Sequence, residues 1–287
     1  MIGIRPILPE DLAGLVAVWQ EAFGARWPAD SHALAGMAGF LTEDAAGIAG
    51  VVLCDDLALL ALYVRPDVQH TGIGTALHQH VLDAAHGAGH ALRLGAGRRY
   101  FWPGVPVDAA PGFFEQQGWV WDHEVVDLVA DLPLELLPAR PGDLDVQLTT
   151  LDVRPELYPS LTMFAERDFP QWAAAYQATD PAHLLVACAA DQLVGAAVLT
   201  PPNDPMNPVR WADLFGTGMG ALGAVGVAPA VEGRGVGSQL VVAGADWLAT
   251  KGATQLYLGW VWRTSFYERL GCQVWRRYRV AATRTVA

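Results

Sequence analysis

The sequence lacks the marks of membrane, secreted and zinc-binding proteins. No apolar run reaches the roughly 18 to 20 residues that cross a bilayer, and charged residues near its start break the layout of a signal peptide. Three cysteines occur in 287 residues, with neither the paired spacing of a zinc site nor that of a disulfide framework. We expect a cytoplasmic protein without membrane contact, whose thiols, Cys54, Cys188 and Cys272, are reduced and packed.

Positive charge is also scarce. Lys and Arg total 18 against 30 Asp and Glu, which gives a formal net charge of −12 and a pI near 4.9. Binding a phosphate backbone needs clustered cations, so the expected partner is a small cationic amine and not nucleic acid, although acidity also simply keeps soluble proteins dispersed. The basic stretch Arg276, Arg277 and Arg279 is interpreted as a last strand with one wet face, in preference to a nucleic-acid patch.

A histidine-rich segment does not have the form of a metal site. His78 and His80 lie two residues apart on a predicted helix, where they do not share a face. No Cys or carboxylate completes a set with them or with His86 and His90. We therefore predict no bound metal.

Apolar residues are abundant, at 52%, and supply a core for each half of the chain. Helical and strand patterns alternate throughout, which predicts an α/β fold, or α+β in the strict classification. Residues 132–143 carry three prolines and a glycine, a composition typical of a linker. The predicted organisation is a first domain at 1–131, this linker, and a second domain at 144–287.

Two glycine-rich loops occupy matching places in the two halves. Gln69–Gly74 follows a hydrophobic strand that stops at Pro66, and Glu232–Gly237 follows one that stops at Pro229. Each loop leads into a helical pattern, so backbone N–H groups and the positive end of a helix point at the same place. Glycine lets the main chain approach a ligand closely. The repeated order indicates an internal duplication built around a phosphate-binding turn.

Neither loop fits the common nucleotide motifs. No Gly-Lys-Ser/Thr follows at the helix start, as a nucleotide-triphosphate loop requires, and neither loop has the G-x-G-x-x-G pattern of a dinucleotide site. The pattern Gln/Arg-x-x-Gly-x-Gly/Ala after apolar-x-Val-x-Pro is instead similar to the acyl-CoA loop of the GNAT N-acetyltransferase family. The first half matches fully, whereas the second has Glu232 where the family has Gln or Arg, with Arg234 as a compensating charge.

The resemblance covers nearly the whole chain as two GNAT-like domains. It implies in each a mixed, mostly antiparallel, twisted sheet flanked by helices, and acetyl-CoA as co-substrate. The implied contacts of the second half are Val225, Gly226, Val227, Gly233, Arg234, Gly235, Val236, Gly237 and Ser238. Those of the first half are Leu62, Tyr63, Val64, Gln69, His70, Thr71, Gly72, Ile73, Gly74 and Thr75.

The two halves differ at the position of the family's proton donor, a tyrosine in the pattern Phe-Tyr-x-x-x-Gly. The second half keeps it as Tyr267, whereas the first half has Phe114. The alternative interpretation, which we favour less, is a core tyrosine with its hydroxyl at the surface. The resemblance also assigns the backbone N–H of Val227 to the acyl carbonyl. The base stays open, with Asp213 or a more distant carboxylate acting through water as candidates and a surface role equally open for Asp213.

These residues predict an N-acetyltransferase whose second half transfers an acetyl group directly to the primary amine of an amino sugar, antibiotic or other metabolite. The first half is expected to be a degenerate copy, and the protein a monomer or homodimer. The aromatic loop Tyr100–Pro106 either walls a substrate cleft or packs the halves together. Two alternatives remain: a non-catalytic acyl-CoA binder or sensor, and an aminoacyl-transfer enzyme, which the net charge of −12 disfavours.

Overall fold

A computed structural model describes residues 2–55, 58–96, 102–109, 111–134, 144–204 and 214–282. The described residues fall into two compact units. The first comprises those within Met1–Val125 together with those within Arg276–Ala287, and the second those within Val126–Trp275. Helices and mostly antiparallel sheets make up both units, which confirms the predicted fold class. No helix of these ranges combines the length and apolar character that a bilayer span requires.

Besides short 3-10 turns, the described elements alternate along the chain. The helices are α1 (Leu12–Ala22), α2 (Ser31–Leu34), α3 (Ile73–Gly87), α4 (Pro111–Gln116), α5 (Tyr158–Asp168), α6 (Ala173–Ala178), α7 (Val236–Thr250) and α8 (Thr264–Glu268). The strands are β1 (Arg5–Pro6), β2 (Gly39–Asp44), β3 (Gly47–Cys54), β4 (Ala58–Val64), β5 (Arg93–Leu94), β6 (Val105–Pro106), β7 (Trp121–Asp131), β8 (Gln147–Thr150), β9 (Leu184–Ala189), β10 (Gln192–Thr200), β11 (Met219–Val227), β12 (Gln255–Val261) and β13 (Gln273–Ala281).

The first unit is built on a sheet of order β1-β2-β3-β4-β5, antiparallel except for the parallel pair β4 and β5. Helix α3 covers it, and the close approach of Ile73 and Leu77 to Gly50 leaves no room there for a larger residue. Leu77 and Val81, four residues apart on α3, are both buried in this core. The last strand, β13, belongs to this unit from Arg276 onward, where it pairs with β6.

The second unit contains the strand order β7-β12-β11-β10-β9-β8. Strands β11 and β12 are parallel, while β8 to β11 pair antiparallel in sequence order and β7 pairs antiparallel with β12. Helix α7 packs on one face, where Leu240, Val241 and Leu248 are fully buried. The other face carries α5 and α6, whose largest buried side chains are Phe164 and Tyr176. A helix therefore covers each face of the sheet.

The compact units differ from the predicted domain boundaries at 131 and 144. Strand β7 ends at Asp131, where the predicted first domain ends, yet from Val126 onward it pairs with β12 of the second unit. Val126, Leu128 and Ala130 alternate into the core beneath α7, which explains why this part of the strand belongs there. Proline content marks where the chain is irregular and carries no information about which sheet a neighbouring strand joins. Most of the predicted linker, 135–143, lies outside the described residues.

Candidate active site

Strands β11 and β12 are parallel neighbours that separate part-way along their length. Their pairing ends at Ala221 and Tyr257, although β11 continues to Val227 and β12 to Val261. The remainder of β11 therefore presents an edge that β12 has left. Edge groups without a strand partner are free to bind a ligand, since backbone N–H and C=O groups require hydrogen bonds.

Val227 presents its amide N–H to this opening. The next N–H along the strand, that of Ala228, donates to the carbonyl of Val194 on β10 at 2.8 Å. Because successive N–H groups of a strand point to opposite edges, the N–H of Val227 points toward the open edge. A backbone donor held in this way can polarise an acyl carbonyl.

A bulge in β11 lies beside the opening. Ala224 has a φ of 46°, in the left-handed region, and the register with β10 shifts at the same level. The hydroxyl of Tyr176, a residue only 1% exposed, donates to the Ala224 carbonyl at 2.5 Å. Burial raises the pKa of Tyr176, so its phenol stays protonated and keeps this bond at neutral pH. The strained residue is thus fixed from the face that α6 covers.

The glycine loop of the second half has the backbone course of an anion-binding turn and is called the glycine cradle. Gly233 and Gly235 have φ values of 79° and 88°, which favour glycine, and Gly235 is the N-cap of α7. The N–H groups of Val236, Gly237 and Ser238 open α7, where no intrahelical carbonyl faces them. A Cβ added to Gly233 would meet no atom within 4 Å, so the outer face of the loop is open. These features fit a pyrophosphate such as that of acetyl-CoA.

The loop of the first half has the same backbone course. His70 and Gly72 take the positive φ values, 61° and 92°, and Gly72 is the N-cap of α3. The side chain of Gln69 donates to the Val64 carbonyl at 3.0 Å, and the hydroxyl of Thr71 donates to the Val68 carbonyl at 2.7 Å. Both side chains stabilise the turn, while the N–H groups that open α3 remain outside it. They belong to Ile73, Gly74 and Thr75.

Matched contacts around the two loops support the predicted alignment of the halves. A Cβ built on Gly74 would lie 3.3 Å from Phe113 and 3.4 Å from Val64. A Cβ built on Gly237 would lie 3.4 Å from Phe266 and 3.5 Å from Val227. The next rings also correspond, because Phe113 and Phe114 meet at 81°, as do Phe266 and Tyr267.

Tyr267 is set against the core of the second unit on α8. Its ring lies 4.7 Å from that of Phe266 and packs on the cluster beneath α7. Burial raises the pKa of Tyr267 to about 12, with a smaller contribution from Cys272 in the same direction. Its hydroxyl therefore carries a proton throughout the neutral range. Its counterpart Phe114 is buried and has no proton to give.

The unusual carboxylate of the second loop has a cationic neighbour. Glu232 lies 3.7 Å from the guanidinium of Arg263, the residue that precedes α8. Both side chains are largely exposed, so the pair contributes little to stability. Arg263 nevertheless offsets part of the negative charge that Glu232 places beside the cradle.

The other predicted residues are a candidate base, an aromatic loop, three arginines and three cysteines. Asp213, Tyr100 and Phe101 lie outside the described residues. Trp102 lies inside the first unit, where it stacks on Trp19 at 5.8 Å. Arg276, Arg277 and Arg279 belong to β13, as predicted, and all three cysteines are free.

The predicted absence of a metal stays a prediction. His78 is buried and accepts a hydrogen bond from the indole of Trp119 at 2.8 Å. His80 instead lies with its ring 4.4 Å from that of Phe40. The described ranges contain no cluster of His, Cys, Asp and Glu fit to hold a metal.

Two residues beside the opening were not predicted from the sequence. Asp127 on β7 is 1% exposed and accepts the backbone N–H of Trp260 at 3.1 Å. Trp260 itself has a left-handed φ of 57° on β12, beyond the last pair with β11. The signal for Asp127 was a single carboxylate inside the apolar run Val125–Val129, a position where a charge requires a partner.

Comparison with known proteins gives matches for both halves. Residues 31–120 match the model of the acetyltransferase (GNAT) domain, and residues 148–272 match the model of the acetyltransferase (GNAT) family. No protein with a curated description matches the chain.

Solved structures resemble the chain over nearly its full length. One is described as a GCN5-related glucosamine N-acetyltransferase region of a fungal multi-domain GH3 β-N-acetylglucosaminidase, with 28% identity and a TM-score of 0.83 over 98% of this chain. This chain covers only 38% of that protein.

Two further structures show the same fold over their whole length. A GCN5-related N-acetyltransferase from Sphaerobacter thermophilus is 20% identical with a TM-score of 0.70, covering 98% of this chain and 95% of its own. A tandem GNAT protein from the clavulanic acid biosynthesis pathway is 14% identical with a TM-score of 0.61, covering 100% of both chains. The duplicated loops, the opening beside β11 and these matches agree: the chain belongs to the GNAT acetyltransferase family, as a member with two GNAT domains.

Proposed function

We propose that the second half catalyses direct transfer of an acetyl group from acetyl-CoA to the primary amine of a small molecule. The opening between β11 and β12 carries this proposal, because one place combines an unpaired N–H of Val227 with a neighbouring glycine cradle. Bound acetyl-CoA would supply the thioester that is the acetyl donor.

Each residue has one task in this transfer. N–H groups at the start of α7 bind the pyrophosphate, and the N–H of Val227 withdraws charge from the acyl carbonyl. The amine nitrogen forms a bond to the acyl carbon, the C–S bond breaks, and the nitrogen loses a proton to water. Tyr267 then donates its proton to the departing sulfur. A pKa of about 12 suits this task, because a phenol that ionised near neutrality would have no proton to give.

The first half lacks the acid of this arrangement and carries a larger side chain on the strand before its loop. Phe114 stands in the position of the acid. Tyr63 stands where the second half has Gly226, and its ring packs 6.2 Å from that of Phe23. Trp27 and Trp102 add to the same cluster, with their rings 5.5 Å apart. Aromatic rings pack at this strand position in both halves, since a Cβ built on Gly226 would lie 2.9 Å from Phe169. The missing acid is therefore the difference on which we assign the first half a structural role, with at most a CoA-binding loop.

An amino sugar is the acceptor that we favour. The structure described as a glucosamine N-acetyltransferase region shares 28% identity with this chain, enough to make its acceptor class the first one to test. The net charge of −12 also suits a cationic amine. Among the alternatives, only the non-catalytic acyl-CoA binder has a feature in its favour, the carboxylate of Glu232, and Arg263 offsets that charge.

Thiol release from acetyl-CoA, measured over a panel of amines with mass analysis of the products, tests the proposal. The panel should contain glucosamine, other amino sugars, aminoglycosides, linear polyamines and amino acids. We expect amine-dependent CoA release with an N-acetylated product and a turnover near 1 to 10³ per second for the true acceptor. Acetyl-CoA binding without transfer to any member would instead favour the non-catalytic binder.

A further inference from the structure

Two strained residues face each other across the active-site opening. Ala224 lies three positions beyond Ala221 on β11, and Trp260 lies three positions beyond Tyr257 on β12, so both stand at one level past the last strand pair. Their φ values of 46° and 57° both fall in the left-handed region. Such backbone costs free energy and persists only where surrounding contacts hold it.

A buried polar group holds each bulge. Tyr176 is bonded to the carbonyl of Ala224, and Asp127 is bonded to the N–H of Trp260. Two residues of β12 oppose Asp127, because the register runs from Leu258 paired with Leu128 to Val261 paired with Val126. Asp127 therefore lies at the point where β12 bends away from β11.

The bend also exposes two large aromatic side chains. Trp260 is 37% exposed and Trp262 is 60% exposed, whereas Val261 between them is buried in the core beneath α7. Trp260 lies in the bulge and Trp262 lies just beyond the end of β12. Val261 enters the core beneath α7, whereas both indoles stay outside that cluster and in contact with solvent.

We propose that Asp127 is a positioning residue that fixes the bend of β12 so that the indoles of Trp260 and Trp262 form the wall on which the ring of an amino-sugar acceptor stacks. This rests on the proposed function and narrows its acceptor to amines carried on a saturated ring. Asp127 acts through the Trp260 amide and does not touch the substrate.

The chemistry of an amino sugar matches such a wall. One face of a pyranose ring presents C–H groups, which pack on a flat apolar surface, and aromatic side chains supply much contact area in binding sites. The ammonium form is attracted to the negative face of an indole. A linear polyamine has the charge but no ring face, so the two acceptor classes separate stacking from simple charge attraction.

Calorimetric binding of glucosamine to the full chain with CoA present tests the inference without requiring turnover. We expect Trp260→Ala to weaken glucosamine binding about tenfold or more and Trp262→Ala to weaken it less, in line with loss of an aromatic contact. Asp127→Ala should act like Trp260→Ala, and Asp127→Asn should restore binding, because the amide oxygen can still accept the Trp260 N–H. CoA affinity should stay within twofold in all four variants.

The matched control is Asp131→Ala. Asp131 lies on the same strand and accepts a hydrogen bond from Gln255 at 3.0 Å, at the end where β11 and β12 still pair. Its removal should leave glucosamine binding unchanged. If Asp127→Ala fails to fold, as circular dichroism would show, Asp127→Asn and the tryptophan variants still decide the matter.

Unchanged glucosamine affinity in Trp260→Ala, or equal binding of spermidine and glucosamine to the wild type, would overturn the inference, as would a wild type that does not bind glucosamine. Acetyl transfer to some other amine in that last case would leave the proposed function intact. Tryptophan-dependent binding without any acetyl transfer would support the inference while contradicting the proposed function.

Discussion

The two halves of this chain share a glycine loop and differ in what surrounds it. Gly74 and Gly237 each contact a phenylalanine and a valine at matching positions and nearly the same distances. The N-cap of each loop helix is a glycine with a φ close to 90°. Around this shared element, the second half has Tyr267 and Gly226, with Phe169 packed against that glycine, whereas the first half has Phe114 and Tyr63. A cradle for an anion can therefore persist where the groups needed for transfer are lacking.

The parallel strand pair beside each loop also separates early in both halves. In the first half β4 and β5 pair only from Ala58 to Leu59, and the N–H of Arg65 donates to Ala49 at 3.0 Å, so Val64 matches Val227 in the direction of its N–H. Strand β4 contains no left-handed residue, in contrast to β11 with Ala224. An N–H directed to the open edge is thus common to both halves, and a bulged strand with a proton donor distinguishes the second.

The substitution with the largest expected effect on turnover is Tyr267→Phe. Loss of a positioned acid should lower turnover by about 10² to 10⁴. The ring and its packing remain, so stability should hold within about 1 kcal/mol and acetyl-CoA binding should hardly change. Single-turnover thiol release measures the loss of turnover, and thermal melting measures the change in stability.

The pH profile of the same variant serves as an internal control. A pKa of about 12 keeps the Tyr267 proton in place from pH 7 to 10, so the wild type should show no alkaline loss of activity from this group. Wild type and variant should then have profiles of the same shape at different heights. Turnover within twofold of the wild type, with chemistry limiting the rate, would remove Tyr267 as the acid.

Much of the site could be predicted from local sequence. The loops, the helix carrying Tyr267 and the strand before Pro229 depend on neighbouring residues, such as a glycine at each turn, and they formed where expected. The partner of β7 depends on pairing between Val126 and Val261, which are 135 positions apart, and no local pattern encodes it. Asp127 was missed for that reason.

The next effect concerns the number of CoA molecules bound. The full family pattern of the first loop predicts two acetyl-CoA molecules for each chain. Replacing Gly72 and Gly74 with valine should reduce the number to one, because Gly72 needs a positive φ and a side chain on Gly74 would crowd Phe113. Turnover should stay within about twofold of the wild type.

Calorimetry on the full chain measures this stoichiometry. The isolated first half is unsuitable, because β7 belongs to the second unit from Val126 onward. A wild-type stoichiometry of one, unaffected by the Gly72 and Gly74 substitutions, would show that the first loop has only a structural role.

A smaller effect is expected for Glu232→Gln. The substitution gives the second loop the residue type of Gln69 and removes a carboxylate beside the pyrophosphate. Exposed charges contribute about 0.2 to 1 kcal/mol, so the KM for acetyl-CoA should fall about 1.4- to 5-fold, and the gain should shrink at high salt. The control is Glu268→Gln, because Glu268 is an exposed residue of α8. A higher KM in Glu232→Gln would mean that the Glu232 and Arg263 pair shapes the loop instead of repelling the ligand.

The smallest effect is predicted for Phe114→Tyr, which gives the first half the missing hydroxyl. Phe114 is buried, and its neighbours Phe113 and His78 lie 5.2 Å and 6.3 Å from it between ring centroids. A hydroxyl alone does not supply an amine pocket, so turnover should stay within about twofold of the wild type. The measurement is best made in the Tyr267→Phe background, where little activity from the second half remains. Recovery there of a tenth or more of wild-type turnover would show that the first half lacked only its acid.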